Sequence, residues 1–182
     1  MRQTIILTRH TTTSWNRERR IQGQTDIPLD DGGKEEARAL AIRLAALGIQ
    51  AIVSSDLIRA RETAEIIRAH IRVPFRTDPR IRECSFGKIE GMTRDEAIAR
   101  HGTTAASFWD YERESPYDFR PFGGEHREGV LARHRALLAD LPLLFSHVRT
   151  VLLVGHGRGL NTLLMSFGRT PDLERGGFAV LS

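Results

Sequence analysis

Cysteine occurs once, at Cys84, so the chain has neither an internal disulfide nor a cysteine-built zinc site available to it. Lysine is almost as scarce: Lys34 and Lys88 are the only two among 27 basic residues, and the others are arginines. Such a skew follows from genomic coding bias more often than from a need for bidentate anion binding. Long apolar runs are missing as well. Runs such as Ile5 to Leu7 and Val151 to Val154 fall far short of the roughly 20 residues that a membrane-spanning helix needs. No basic, apolar and small-residue leader opens the chain, so the expected location is the cytoplasm. Internal repeats, low-complexity tracts and linkers are also absent, which leaves one domain over residues 1–182.

What is present is ordinary globular usage, 40% hydrophobic and 27% charged, which excludes a disordered tail, a collagen and a coiled coil. A chain of 182 residues fits one domain at ~150 residues each and can bury roughly 70% of its unfolded surface. The net charge of +4 and a pI near 9.9 permit an anionic partner, either nucleic acid or a phosphorylated small molecule. The arginines are spread along every helical segment rather than in one stripe, and no zinc-finger or RNA-binding motif is apparent. No nucleic-acid partner is therefore expected.

Thr4 to Thr8 is short, β-branched and apolar on both faces, the pattern of a buried parallel strand. Ala37, Leu40, Ala41, Leu44 and Leu47 predict a helix over 34–47, with Asp30 or Asp31 as N-cap and Gly48 past its end. Strands follow at 51–54 and around 73–77, with a second amphipathic helix between them. Residues 93–101 read as helix, Glu125 to Ser146 as a long helix interrupted near Pro142, 150–154 as a strand, 157–167 as a helix and 178–181 as a last strand. The order implies an α/β three-layer sandwich, a mostly parallel central sheet with helices on both faces. Residues 105–125 read as an irregular insertion over the sheet edge. It holds six of the twelve aromatics: Phe108, Trp109, Tyr111, Tyr117, Phe119 and Phe122. The insertion reads equally as a lid over a leaving group and as a satellite core, and Arg113, Arg120 and Arg127 as solvated or as facing a second substrate charge.

Ligands in open parallel sheets bind at the carboxyl ends of the strands. Three strands end in polar residues there: Arg9 and His10 after the first, Ser55, Asp56 and, one turn on, Arg59 after the second, and Gly155, His156 and Gly157 after the fourth. Each residue alone has an ordinary structural reading, yet two histidines and two arginines share one rim. Gly155 and Gly157 would let backbone approach a ligand, and the helix after His156 would present free N–H groups to an anion. The constellation points to phosphate. A neutral imidazole can take a phosphoryl group, two guanidiniums and a second imidazole can hold its oxygens without metal, and a carboxylic acid must protonate the leaving alkoxide. Glu83 is the candidate acid, although the residues alone do not separate that role from a surface glutamate paired with a neighbouring arginine. Reading His10, His156 and Glu83 as metal ligands is disfavoured by the adjacent Arg9 and Arg59.

These residues resemble the motifs of the histidine phosphatase superfamily, which includes cofactor-dependent phosphoglycerate mutases and small bacterial phosphatases. Leu7-Thr8-Arg9-His10 with Trp15-Asn16 resembles its opening motif, and Gln22-Gly23 with Asp26, Pro28-Leu29 and Gly32 its phosphate-closing loop. Ser54-Ser55-Asp56-Leu57 with Arg59-Ala60 and Thr63-Ala64 resembles its arginine motif. Arg82-Glu83 with Phe86-Gly87 and Glu90-Gly91 resembles the segment bearing the acid. Gly123-Gly124-Glu125 resembles the opening of its long helix, and Val154-Gly155-His156-Gly157 the segment of the second histidine. The resemblance covers essentially the whole chain. It implies a phosphoglycerate mutase-like fold, His10 as nucleophile, Arg9, Arg59 and His156 as phosphate ligands, and Glu83 as general acid then base. Asn16, Gln22, Gly23 and Gly157 are then further substrate contacts. A small phosphorylated metabolite is implied as partner, with no metal, organic cofactor or membrane.

Two positions depart from the family pattern. Thr11 stands where glycine usually follows the nucleophilic histidine, so its hydroxyl either points away or meets the phosphate. His126 stands where relatives carry serine, a difference that bears on substrate contacts. Family mutases are usually longer, so this chain is expected to be a phosphatase acting on a phosphomonoester, with a phosphoglycerate mutase as the alternative.

Overall fold

The computed structural model describes residues 3–102 and 117–181. Its core is a five-stranded sheet in the order β3-β2-β4-β1-β5. The strands are β1 (Thr4–Arg9), β2 (Ala51–Ser54), β3 (Phe75–Thr77), β4 (Thr150–Gly155) and β5 (Phe178–Leu181). The first four run parallel, and β5 pairs antiparallel with β1 at the edge. The helices are α1 (Ser14–Arg17), α2 (Asp31–Ala45), α3 (Ile58–Ile71), α4 (Arg94–His101), α5 (Arg127–Leu144) and α6 (Gly157–Met165).

Side chains alternate across a strand, so the buried strands feed two cores. Ile6, Ile52, Leu152 and Val154 pack with Leu40, Leu44, Ala60 and Ile67 of α2 and α3. Leu7, Val53, Val151 and Leu153 face the other way, onto Leu137, Leu141, Leu160 and Leu163 of α5 and α6. The result is the expected three-layer sandwich. The third cluster joins Cys84, Ile89, Ala97 and Val130 to Tyr117, Phe119 and Phe122. The described part of the aromatic stretch therefore forms a satellite core, from which Tyr117 and Phe119 also reach the cavities described below; Phe108, Trp109, Tyr111 and Arg113 lie outside the described residues.

Local chemistry sets the helix starts. Asp30 accepts from the Gly33 N–H at 2.7 Å and caps α2. The N-cap of α3, Leu57, has no side-chain acceptor, but the Ile58 N–H finds Asp26 from the preceding loop at 2.6 Å. Two expectations change. The short α1 falls in a stretch without helical periodicity, where its only local signal is a Thr13–Asn16 capping box. And Pro142 does not interrupt α5: it lies inside the helix, which runs on to Leu144. Among the described residues no helix is long and apolar enough to cross a membrane.

Leu153 is wholly buried in β4, whereas Ile42 on α2 is 67% exposed. Leu153→Ala is expected to lower unfolding free energy by about 2–5 kcal/mol, and Ile42→Ala by no more than about 0.5 kcal/mol, as measured by urea denaturation.

Candidate active site

The site begins with strand order. β1 and β4 are neighbours, with Arg9 paired to Gly155, and β2 lies on the far side of β4 with Ser54 paired to Val154. The residues after β1 and β4 must therefore meet. The His10 N–H donates to the Gly155 carbonyl at 2.9 Å, and the His10 and His156 ring centroids stand 5.2 Å apart. Both side chains are buried. His10 Nδ1 lies 2.7 Å from the Thr11 carbonyl. A carbonyl only accepts, so Nδ1 carries the proton and Nε2 of the neutral ring keeps its lone pair. Both ring nitrogens of His156 are buried without a hydrogen-bond partner.

Arg59, on the first turn of α3, is fully buried. Its Nη1 donates to the Thr25 carbonyl at 2.9 Å and its Nη2 to the Gly23 carbonyl at 2.5 Å, while Nε has no hydrogen-bond partner. Burial lowers its pKa to about 10 against the pull of Glu83, Asp26 and Glu90, so it stays charged at neutral pH. Burial, then Arg59, Arg9 and Arg175, hold the His10 pKa well below 6.5, with the Thr11 carbonyl opposing. Burial also dominates for His156, followed by Arg59, His10, His134 and Arg9. Both imidazoles are thereby kept neutral among cations.

The loop that receives Arg59 is shaped by Glu90. Its carboxylate accepts from the Gln24 and Thr25 N–H groups at 3.2 and 3.0 Å and from Phe86 N–H at 2.9 Å. Gly23 has φ +54°, and a Cβ there would lie 2.1 Å from Glu90 Oε1, so only glycine fits. Gln22 is buried with Oε1 unpartnered, and Asn16 Oδ1 accepts from the Thr13 N–H and hydroxyl. Arg9, His10, Asn16, Gln22, Gly23, Arg59 and Glu83 together line a cavity of about 200 Å³.

Glu83 is nearly buried, and its carboxylate is gripped by backbone. Oε1 accepts from the Cys84 and Gly159 N–H groups, both at 2.9 Å, and Oε2 from Arg158 N–H at 3.1 Å. This corrects the expectation of a helix terminus free for a bound anion: the anion at the start of α6 is the protein's own Glu83. The glycines beside His156 also serve packing. A Cβ on Gly157 would lie 2.8 Å from Arg9 Cζ, so that position makes room for the guanidinium. A Cβ on Gly155 would crowd Ile81 and Leu160. Gly157 lies on a second, larger cavity of about 630 Å³, which shares Arg9, Glu83, Phe86 and Arg158 with the first.

Thr11 points away from both cavities: its hydroxyl donates to the Gly33 carbonyl at 2.8 Å between α2 and α3. His126 lies 3.9 Å from Glu128 and lines neither cavity, and Arg120 pairs with Asp118 at the surface. Sequence reasoning missed Glu36 and Arg175, which line the larger cavity. Arg175 precedes β5, and an antiparallel edge strand starts where the parallel strands end; recognising β5 as antiparallel would have placed it.

Comparison with known proteins decides the family. The model of the histidine phosphatase superfamily, branch 1, matches residues 5–179. The chain belongs to this superfamily. A relative from Escherichia fergusonii named probable phosphoglycerate mutase GpmB is 49% identical over 167 residues, covering 92% of this chain and 75% of the relative. Among solved structures of the superfamily fold, Bacillus stearothermophilus YhfR matches with TM-score 0.86 and 34% identity over 99% of this chain and 91% of that one. A mycobacterial glucosyl-3-phosphoglycerate phosphatase in complex with VO3 matches with TM-score 0.84 and 29% identity, over 99% and 91%.

Titration of the imidazole resonances by NMR should find the His10 and His156 rings neutral at pH 6.5, protonating only below it. In the unfolded chain these rings bind protons near pH 6.5 that the folded protein refuses, so they make stability fall as pH drops through that region. A midpoint at or above 6.5 for either ring contradicts the burial described. Thr11→Val, which removes the hydroxyl's hydrogen bond to the Gly33 carbonyl, is expected to cost about 0.5–1.5 kcal/mol in denaturant unfolding.

Proposed function

We propose that this chain is a metal-independent phosphatase that hydrolyses a small phosphomonoester through a phosphohistidine on His10. The observation that carries the reading is the orientation of His10. Its Nδ1 is committed to the Thr11 carbonyl, and the ring lines a cavity that it shares with Arg59 and Glu83, beside His156.

In the first step Nε2 of His10 attacks phosphorus. The N–P bond forms as the P–O bond to the leaving group breaks, and Glu83 gives its proton to the departing oxygen. Oε2 of Glu83, with a single N–H donor, has the lone-pair capacity left for that proton. Arg9, Arg59 and His156 hold the phosphoryl oxygens and offset the charge that develops on them. In the second step water attacks phosphorus, its proton goes to Glu83, and the N–P electrons return to Nε2. The larger cavity, with Arg158, Arg175 and Glu36, would receive the leaving group. The likeness to glucosyl-3-phosphoglycerate phosphatase and YhfR supports hydrolysis. A second reading, phosphoglycerate mutase, rests on the name of the 49% identical relative.

Hydrolysis of 4-nitrophenyl phosphate is expected to persist in chelator and to vanish in His10→Ala, with wild-type protein trapping an acid-labile phosphoryl group on His10. Activity lost to chelator but retained by His10→Ala would refute the reading. Rapid interconversion of phosphoglycerates that requires a bisphosphorylated primer would favour the mutase instead.

A further inference from the structure

We infer that Arg133 and Glu125 form a clamp that positions Glu83 for proton transfer to the leaving group; the inference rests on the acid and base role proposed for Glu83. No sequence pattern marks Arg133, and Glu125 stands out only in the helix-opening Gly123-Gly124-Glu125.

Every N–H of the Arg133 guanidinium is committed. Nη1 donates to the carbonyls of Arg80 at 2.9 Å and Arg82 at 2.6 Å, and Nη2 to the carbonyl of Glu83 at 2.8 Å. Nε and Nη2 complete a bidentate pair with Glu125 at 3.0 and 2.9 Å. One planar group on α5 thus holds three carbonyls of the segment that presents the acid, a task for a rigid fork and not for an ammonium. Glu125 extends the grip past Glu83, accepting from the Ser85 N–H at 2.9 Å. Gln24 joins the acid segment to the phosphate loop by donating to the Glu83 carbonyl at 3.1 Å and to Glu125 at 3.3 Å. The carboxylate is aimed by α6 and the backbone behind it is fixed by α5, so the position of Oε2 depends on both.

The same segment has independent anchors that hold the fold. The Arg82 side chain pairs with Asp56, and Arg80 with Asp78 and Asp140. Loss of the clamp therefore moves Glu83 by a fraction of an ångström or more without unravelling the segment, and small misplacements of a reacting group are costly.

Leaving-group dependence separates positioning from general stability. An alkyl phosphate needs its leaving oxygen protonated, whereas 4-nitrophenolate departs with little help. kcat/KM, which reports phosphoryl transfer to His10, is measured for β-glycerophosphate and 4-nitrophenyl phosphate in Arg133→Met, Glu125→Gln, Glu83→Gln and Glu83→Gln/Arg133→Met. Glu83→Gln is expected to lose about 100-fold or more on the alkyl ester. Arg133→Met and Glu125→Gln should each lose about tenfold there and no more than about threefold on the aryl ester. The double variant should be no more selective than Glu83→Gln alone, since the clamp acts through that residue. Equal losses on both esters in Arg133→Met and Glu125→Gln, with selective loss kept in Glu83→Gln, would overturn the clamp while sparing the acid assignment. Unselective loss in Glu83→Gln would overturn both. Glu125→Gln preserves size and packing, so it decides the matter if Arg133→Met does not fold.

Discussion

A dense group of cations and neutral imidazoles, held where water screens poorly, is the constraint around which the rest of this molecule is arranged. Arg59 is wholly buried, and Arg9 and Arg175 act with it to depress the His10 imidazole. Charges of one sign taken out of water repel each other more than they would at a surface, and they persist only where dipoles and counter-charges are fixed around them. Here the Gly23 and Thr25 carbonyls, with Glu83, Asp26 and Glu90 nearby, do that work. The same preorganisation suits a dianionic phosphoryl group, whose charge needs donors that do not have to reorient during reaction.

The start of α6 illustrates how the protein divides its resources. A helix N-terminus is a ready anion site, yet the Arg158 and Gly159 N–H groups are given to the Glu83 carboxylate. In the proposed reaction, stabilisation of a bound phosphoryl group is thereby left to guanidiniums and imidazole, and the helix fixes the proposed acid instead. The glycines of this turn follow from that choice: Gly157 clears space for Arg9 and Gly159 for the buried His134 ring. Close packing calls for glycine at both positions, and Gly157 also lines the larger cavity.

The sheet makes these placements reproducible. β4 inserts between β1 and β2, so two strands far apart in sequence deliver their histidines side by side, and the antiparallel β5 brings the turn before it back to the same rim. Two cores of opposite facing lock that order through the alternation of Ile6 with Leu7 and of Leu152 with Leu153. A one-residue slip in any central strand would exchange the cores and scatter the rim.

The amino-acid sequence by itself determined the five strands, the longer helices and the residues that stand at the strand ends, though not the short α1. Short β-branched runs read as buried strands, Asp30 caps α2, which ends at Ala45 short of the expected stop beside Gly48, and histidine or arginine after an apolar strand points to the ligand-bearing rim of a parallel sheet. The residues alone offered Glu83 as a candidate acid without separating it from a surface glutamate, because its neighbours Cys84, Ser85 and Phe86 form no periodic element that fixes its direction. Only the tertiary structure decided which tautomer His10 adopts, that Thr11 turns away, that α6 caps Glu83, and that Arg133 reaches three carbonyls some fifty residues earlier in the chain. The physical reason is one of range. Periodicity and capping are set by neighbours within a turn or a strand, whereas a hydrogen bond between distant segments depends on where packing of the whole sheet and its helices places the two groups.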